Sequence, residues 1–151
     1  MEAMTIEENI FMARIAESTE RFNDMVDYMR TVTEQKGSDM SQDERNLLSV
    51  AFKNVVAQKR TAWRTIVSVQ GNPKYASYMA SMMEYKTKLE DAVYEDCTNI
   101  IGILQVNVLK KKSSEESKAF FTKLVADNHR YVAEMSTFDE ERRVKAIDDA
   151  R

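Results

Sequence analysis

Glycine and proline are nearly missing from this chain, at three and one in 151 residues. So few turn formers exclude collagen-like, low-complexity and many-turned β architectures, and they suit long helices on short connections. Cys97 is the only cysteine, which excludes an intrachain disulfide and a thiol metal cluster and points to a reducing compartment. His129 is the only histidine, so a histidine-based zinc site cannot be assembled and a catalytic triad would have to be built around this one imidazole. Long hydrophobic runs are missing too. The most apolar stretch, Ile100 to Leu109, is broken by Gln105 and Asn107 and falls short of a bilayer span. Acidic residues begin at Glu2 and no signal-peptide core follows. The expectation is a soluble cytoplasmic protein with no membrane association and no cofactor.

What is present is charge. Of all residues 31% are charged, with a formal net charge of −3 and a pI of about 5.3. Nucleic-acid binding through bulk charge is therefore excluded, and any basic site must be a local concentration in an acidic surround. A chain of 151 residues is long enough for one domain with a real core and too short for two comfortable ones.

Helix starts are legible. Thr5 precedes Glu8, Ser41 precedes Glu44, Ser113 precedes Glu116 and Thr137 precedes Glu140, each by three residues. In such a capping box, hydroxyl and carboxylate satisfy backbone N–H groups left over at a helix start. Gly37 offers one stop and Gly71-Asn72-Pro73 another. Helices are expected at 6–19, 22–36, 42–70, 74–110, 114–135 and 138–151. The third and fourth should be antiparallel neighbours across a tight turn, each about 40–55 Å long from the rise per residue. The run Lys110-Lys111-Lys112 reads as a solvated helix end.

In the third helix Leu48, Phe52, Val55, Ala62 and Ile66 form one apolar stripe, interrupted by Lys59. Lys53, Arg60 and Arg64 form a basic row about 120° away. Positions seven apart return to within about 20°, so Lys53 and Arg60 point the same way. Arg130-Tyr131, in KLVADNHRYVAE, sets a guanidinium beside a phenol on another helix. A lysine, arginines and a hydroxyl converging from two helices would suit a phosphate dianion, because the arginine fork matches two oxygens at once. By spacing, Lys123, Asp127 and Arg130 share a helical face, and Asp127 could hold the cationic side chains in place.

Each of these features has a plain reading. Basic residues seven apart are commonly a solvated face. His129 reads as a surface or partly buried histidine, Cys97 and Trp63 as core or interface residues, and the ten methionines as packing filler. No cation adjoins Cys97 in sequence to lower its pKa. No catalytic constellation emerges, so an enzyme is not expected.

The segment RNLLSVAFKNVV at 45–56, followed at once by AQKRTAWR, resembles the first signature of the 14-3-3 family of phosphoserine/phosphothreonine readers. AESTERFNDMV, MRTVTEQ, EYKTKLEDAVYEDC and ESKAFFTKLVADNHRYVAEM follow the family in order, so the similarity covers nearly the whole chain. The resemblance implies an all-α fold, a right-handed stack of antiparallel helices. It further implies a cup that dimerises through its N-terminal helices and holds a phosphopeptide in an inner groove. It places Lys53, Arg60, Arg130 and Tyr131 on phosphate-binding positions and Lys123 on a nearby peptide contact. On the dimer side it pairs Asp24 with Lys88 across subunits and puts Ile15 and Tyr85 at packing positions.

Some positions depart from the family pattern. Ala92 stands where the second inter-subunit pair needs an acid, which leaves Arg21 without its usual partner. Ala62 replaces the serine whose phosphorylation loosens some dimers. The proline usual before the fifth helix is missing, and Asn128-His129 replaces a common aromatic pair. By resemblance, residues 1–151 are a single domain matching about six of nine helices and stopping within the sixth. The later helices of the family carry its second signature, the asparagines that hold the peptide backbone and the apolar groove wall. The implied function is a dimeric phosphopeptide-binding adaptor in signal transduction, as homodimer or heterodimer with relatives, acting on phosphorylated client proteins. The alternative is a structural dimerisation module without a working groove.

Overall fold

The structure, a computed structural model, describes residues 3–109 and 114–135. Helix α1 spans Ile6–Ser18 and opens on the expected capping box. Thr5 Oγ1 accepts from the Glu8 amide at 3.1 Å, and Glu8 Oε2 accepts from the Thr5 amide at 2.7 Å. The helix closes in a Schellman turn. The amides of Glu20 and Arg21 donate to the carbonyls of Glu17 and Ala16, with Glu20 in the left-handed region at φ 56°.

Helix α2, Phe22–Lys36, stops at Gly37, whose φ of 53° suits a residue without Cβ. A 3-10 turn at Gly37–Asp39 leads to α3, Gln42–Gln70. Here too the predicted capping box forms, between Ser41 and Glu44. Glu44 Oε1 also takes Lys36 Nζ at 2.6 Å, tying the end of α2 to the start of α3. Partial burial raises the Glu44 pKa, but hydrogen bonds from Lys36 and Ser41 outweigh it and hold the group below its ordinary range.

Helix α4 differs from its predicted span of 74–110. The chain after Gly71 first makes a 3-10 segment, Pro73–Tyr78, because Asn72 Oδ1 accepts from the Lys74 amide and Tyr75 leaves helical geometry at φ −105°, ψ 16°. Regular α4 runs Met79–Leu104 and widens into a π turn at Gln105–Leu109. Helix α5 is Glu115–Met135, and Ser114 Oγ accepts from the Ser117 amide at its start, while Ser113 of the expected Ser113–Glu116 box lies outside the described residues. Glu116 meets Arg45 at 3.2 Å. The predicted helix 138–151, the Thr137–Glu140 box and Lys110-Lys111-Lys112 lie outside the described residues. The fold is all-α, with no strand among the described residues, and no helix of the structure is long and apolar enough to cross a membrane.

The chain divides into two compact units. The described residues of the first are 3–55, 100–109 and 114–125. Its buried side chains include Ala13, Met25, Met29, Val32, Leu48, Phe52, Ile100, Leu104 and Phe121. Burying a side chain of Phe or Met size contributes about 1.5–3 kcal/mol. Arg45, itself buried, lies over the Phe120 ring at 5.6 Å while it pairs with Glu116.

The described residues of the second unit are 56–99 and 126–135. Within it, polar contacts give the register of α3 against α4. Lys59 pairs with Asp96, Trp63 Nε1 donates to Glu90 Oε1 at 2.9 Å, and Gln70 Nε2 meets the Met83 sulfur. Rising numbers on α3 meet falling numbers on α4, so the two run antiparallel, as their sequence suggested. Lys59 interrupts the apolar stripe because Asp96 answers it, with both side chains about 70% removed from solvent (30% and 26% exposed). Val56, Trp63, Leu89, Val93, Cys97, Val132 and Met135 are buried in this unit.

Candidate anion site on helices α3 and α5

Arg60 and Arg64 of the basic row meet α5 inside the second unit. Arg60 lays its guanidinium over the Tyr131 ring, 4.2 Å from carbon to centroid, a distance at which the ring quadrupole attracts the cation. Only 20% of the Arg60 side chain is exposed, against 56% for Arg64 one turn later. Both arginines reach Glu134. Its Oε2 accepts from Arg60 Nη2 at 2.5 Å, and its Oε1 accepts from Arg64 Nη2 at 2.8 Å and Nε at 3.1 Å.

Helical spacing explains the α5 side. Tyr131 and Glu134 are three apart and therefore share a face, and Arg130 adjoins them. Arg130 is exposed, and its Nη2 lies 3.3 Å from Asp127 Oδ1 one turn earlier.

Burial raises the pKa of Tyr131, and Asp127 adds to it, while Arg60 and Arg130 pull the other way without cancelling the rise. The phenol therefore stays protonated and can donate to an anion. For Glu134, burial raises the pKa, but the hydrogen bonds and charges of Arg60 and Arg64 prevail and lower it. Cys97 behaves differently. Desolvation first, then Asp96, push its thiol up to about 12, against the smaller opposing pull of Arg60 and Lys59. It is a core thiol.

Of the predicted site residues, Arg60 and Tyr131 are in contact in the second unit, and Arg130, next to Tyr131 on α5, pairs with Asp127. Lys53 is exposed on α3, two turns before Arg60, and belongs to the first unit, as does exposed Lys123. Ile15 is 43% exposed on α1 and Tyr85 is 52% exposed on α4, where Lys88 is also exposed. Arg21 does find a partner in its own chain, since its Nε donates to Asp24 Oδ2 at 2.6 Å. Sequence reasoning missed Glu134. Its signal was available, for an acid one turn beyond Arg130-Tyr131 lies on the face that meets an arginine row.

Comparison with known proteins agrees over most of the chain. The 14-3-3 protein family model matches residues 12–151. A 14-3-3-like protein of Fucus vesiculosus is 40% identical over 139 residues, covering 92% of this chain and 55% of its own length. The 14-3-3 protein zeta of Bombyx mori is 41% identical over 132 residues, covering 87% and 53%. A 14-3-3-like protein of Solanum tuberosum is 38% identical over 146 residues, covering 93% and 55%. The chain thus spans about half the length of the curated relatives it matches. By helical order, signature and sequence match together, the chain belongs to the 14-3-3 family.

Proposed function

We propose that this chain serves a cytoplasmic, non-enzymatic adaptor that binds phosphoserine or phosphothreonine segments of client proteins in signal transduction. Arg60, Arg130 and Tyr131 hold the phosphoryl group, and the family resemblance adds Lys53 as a further phosphate ligand. The observation that supports this reading is the packing of the Arg60 guanidinium on the Tyr131 ring, with Arg130 adjacent to Tyr131 in the chain. Charge-assisted hydrogen bonds contribute about 1.5–3 kcal/mol each, so the phosphoryl group should dominate affinity. Lys123 contacts the peptide nearby, and Asp127 steadies Arg130. The test is a titration of a phosphoserine peptide against its unphosphorylated twin.

The adaptor acts as a dimer in this reading, with two pockets that gain from effective concentration on a doubly phosphorylated client. Exposed Phe11 and Ile15 on α1 and exposed Tyr85 on α4 support apolar packing between copies or with relatives. The intrachain Arg21–Asp24 contact competes with the proposed Asp24–Lys88 pair across the seam. The same exposed residues favour the second reading, a dimerisation module that pairs with relatives without holding peptide. Phosphate-independent dimerisation without peptide affinity would select it.

A further inference from the structure

We propose that Glu134 is a positioning residue for this anion site, a single carboxylate that fixes Arg60 and Arg64 in the pose an incoming phosphoryl group meets. The inference rests on the phosphate-binding reading above. A free arginine side chain samples many rotamers and must surrender that freedom when it binds an anion. Two arginines one turn apart on α3 also repel each other. Glu134 removes both problems by dividing its oxygens, Oε2 to Arg60 and Oε1 to Arg64.

The division leaves Arg60 usable. Glu134 holds it through Nη2 alone, while the Tyr131 ring holds its face. A guanidinium has five N–H donors, so one end can be anchored while the other meets a phosphate oxygen. Arg64 is held more completely, through both Nε and Nη2, and acts as the brace of the arrangement. The lowered pKa of Glu134 keeps its carboxylate charged at neutral pH. The opposite role would be an internal competitor that occupies the cations until phosphate displaces it. The monodentate hold on Arg60 favours positioning.

The experiment compares the wild-type chain with Glu134→Gln, which keeps the shape and removes the charge, and with Glu134→Asp, which keeps the charge. Phosphoserine-peptide affinity is measured by fluorescence anisotropy. The Nε–Hε signals of Arg60 and Arg64 are followed by NMR without peptide. For Glu134→Gln we expect affinity to fall about tenfold, the loss of roughly one charge-assisted contact, and both arginine signals to lose their order. Glu134→Asp should recover part of each. Unchanged or tighter binding by Glu134→Gln would overturn the proposal, as would arginine signals as ordered as in wild type. If wild type itself ignores the phosphate, the functional reading fails, and the arginine signals alone then decide whether Glu134 positions the pair.

Discussion

The guanidinium of Arg60 lies 4.2 Å from the centre of the Tyr131 ring, so one contact joins α3 to α5 and sets a cation beside a phenol. Replacing Tyr131 by Phe keeps the ring under Arg60 and removes the hydroxyl. Phosphopeptide affinity should fall by the value of one hydrogen bond to a charged group, about 1.5–3 kcal/mol at most. Tyr131→Ala should cost more, since it also frees Arg60. Anisotropy titrations of both variants check the order. Equal losses would mean that the ring under Arg60 adds nothing.

Lys59→Ala leaves Asp96 half-buried without its cation. Breaking a fully buried pair costs about 3–5 kcal/mol and an exposed one 0–1, so an intermediate loss of about 1–2 kcal/mol is expected. In a chain of this size that lowers Tm by about 3–6 °C. A thermal melt measures it, and an unchanged Tm would show that the pair is idle.

Glu20→Gly should stabilise the chain. The Schellman turn holds Glu20 at φ 56°, where a Cβ is strained by about 1–2 kcal/mol and glycine is not. Part of that gain is lost to the greater freedom of glycine when unfolded, leaving about 0.5–1 kcal/mol. Urea unfolding midpoints of the two proteins give the answer, and a lower midpoint for the variant would refute it.

Much of the fold is legible in the sequence because its signals are local. Thr5 with Glu8, Ser41 with Glu44, and Gly37 each act within one turn, and each marks a boundary where expected. The start of α4 was misplaced because Asn72 and Pro73 favour a 3-10 turn whose length depends on how Tyr75 settles. At the site, Arg60, Arg130 and Tyr131 are carried by a signature. Glu134 and the Lys59–Asp96 pair depend on which helices meet, and periodicity along one helix does not specify that. Lys59 inside an apolar stripe was the visible hint that a carboxylate had to face it.

Acid should weaken the Arg60–Glu134–Arg64 link in a definite direction. The folded pKa of Glu134 lies below its ordinary 4.5, so its stabilising contribution is complete above that value and is lost as pH falls through the folded pKa. Wild type should therefore exceed Glu134→Gln in stability at neutral pH, and the gap should close below pH 4.5. Urea midpoints at neutral and acid pH test this. A gap that persists in acid would show that the charge of Glu134 contributes nothing.

The decisive measurement is a titration of the chain with a phosphoserine peptide and its unphosphorylated twin, repeated with Lys53→Glu, Arg130→Ala and the control Lys118→Ala. The phosphorylated peptide should bind more tightly than its twin. Lys53→Glu should abolish the difference, Arg130→Ala should reduce it severely, and Lys118→Ala should leave it unchanged. Equal binding of the two peptides by the wild-type chain, or a preference for phosphate that survives both site substitutions, would contradict phosphate recognition by these residues.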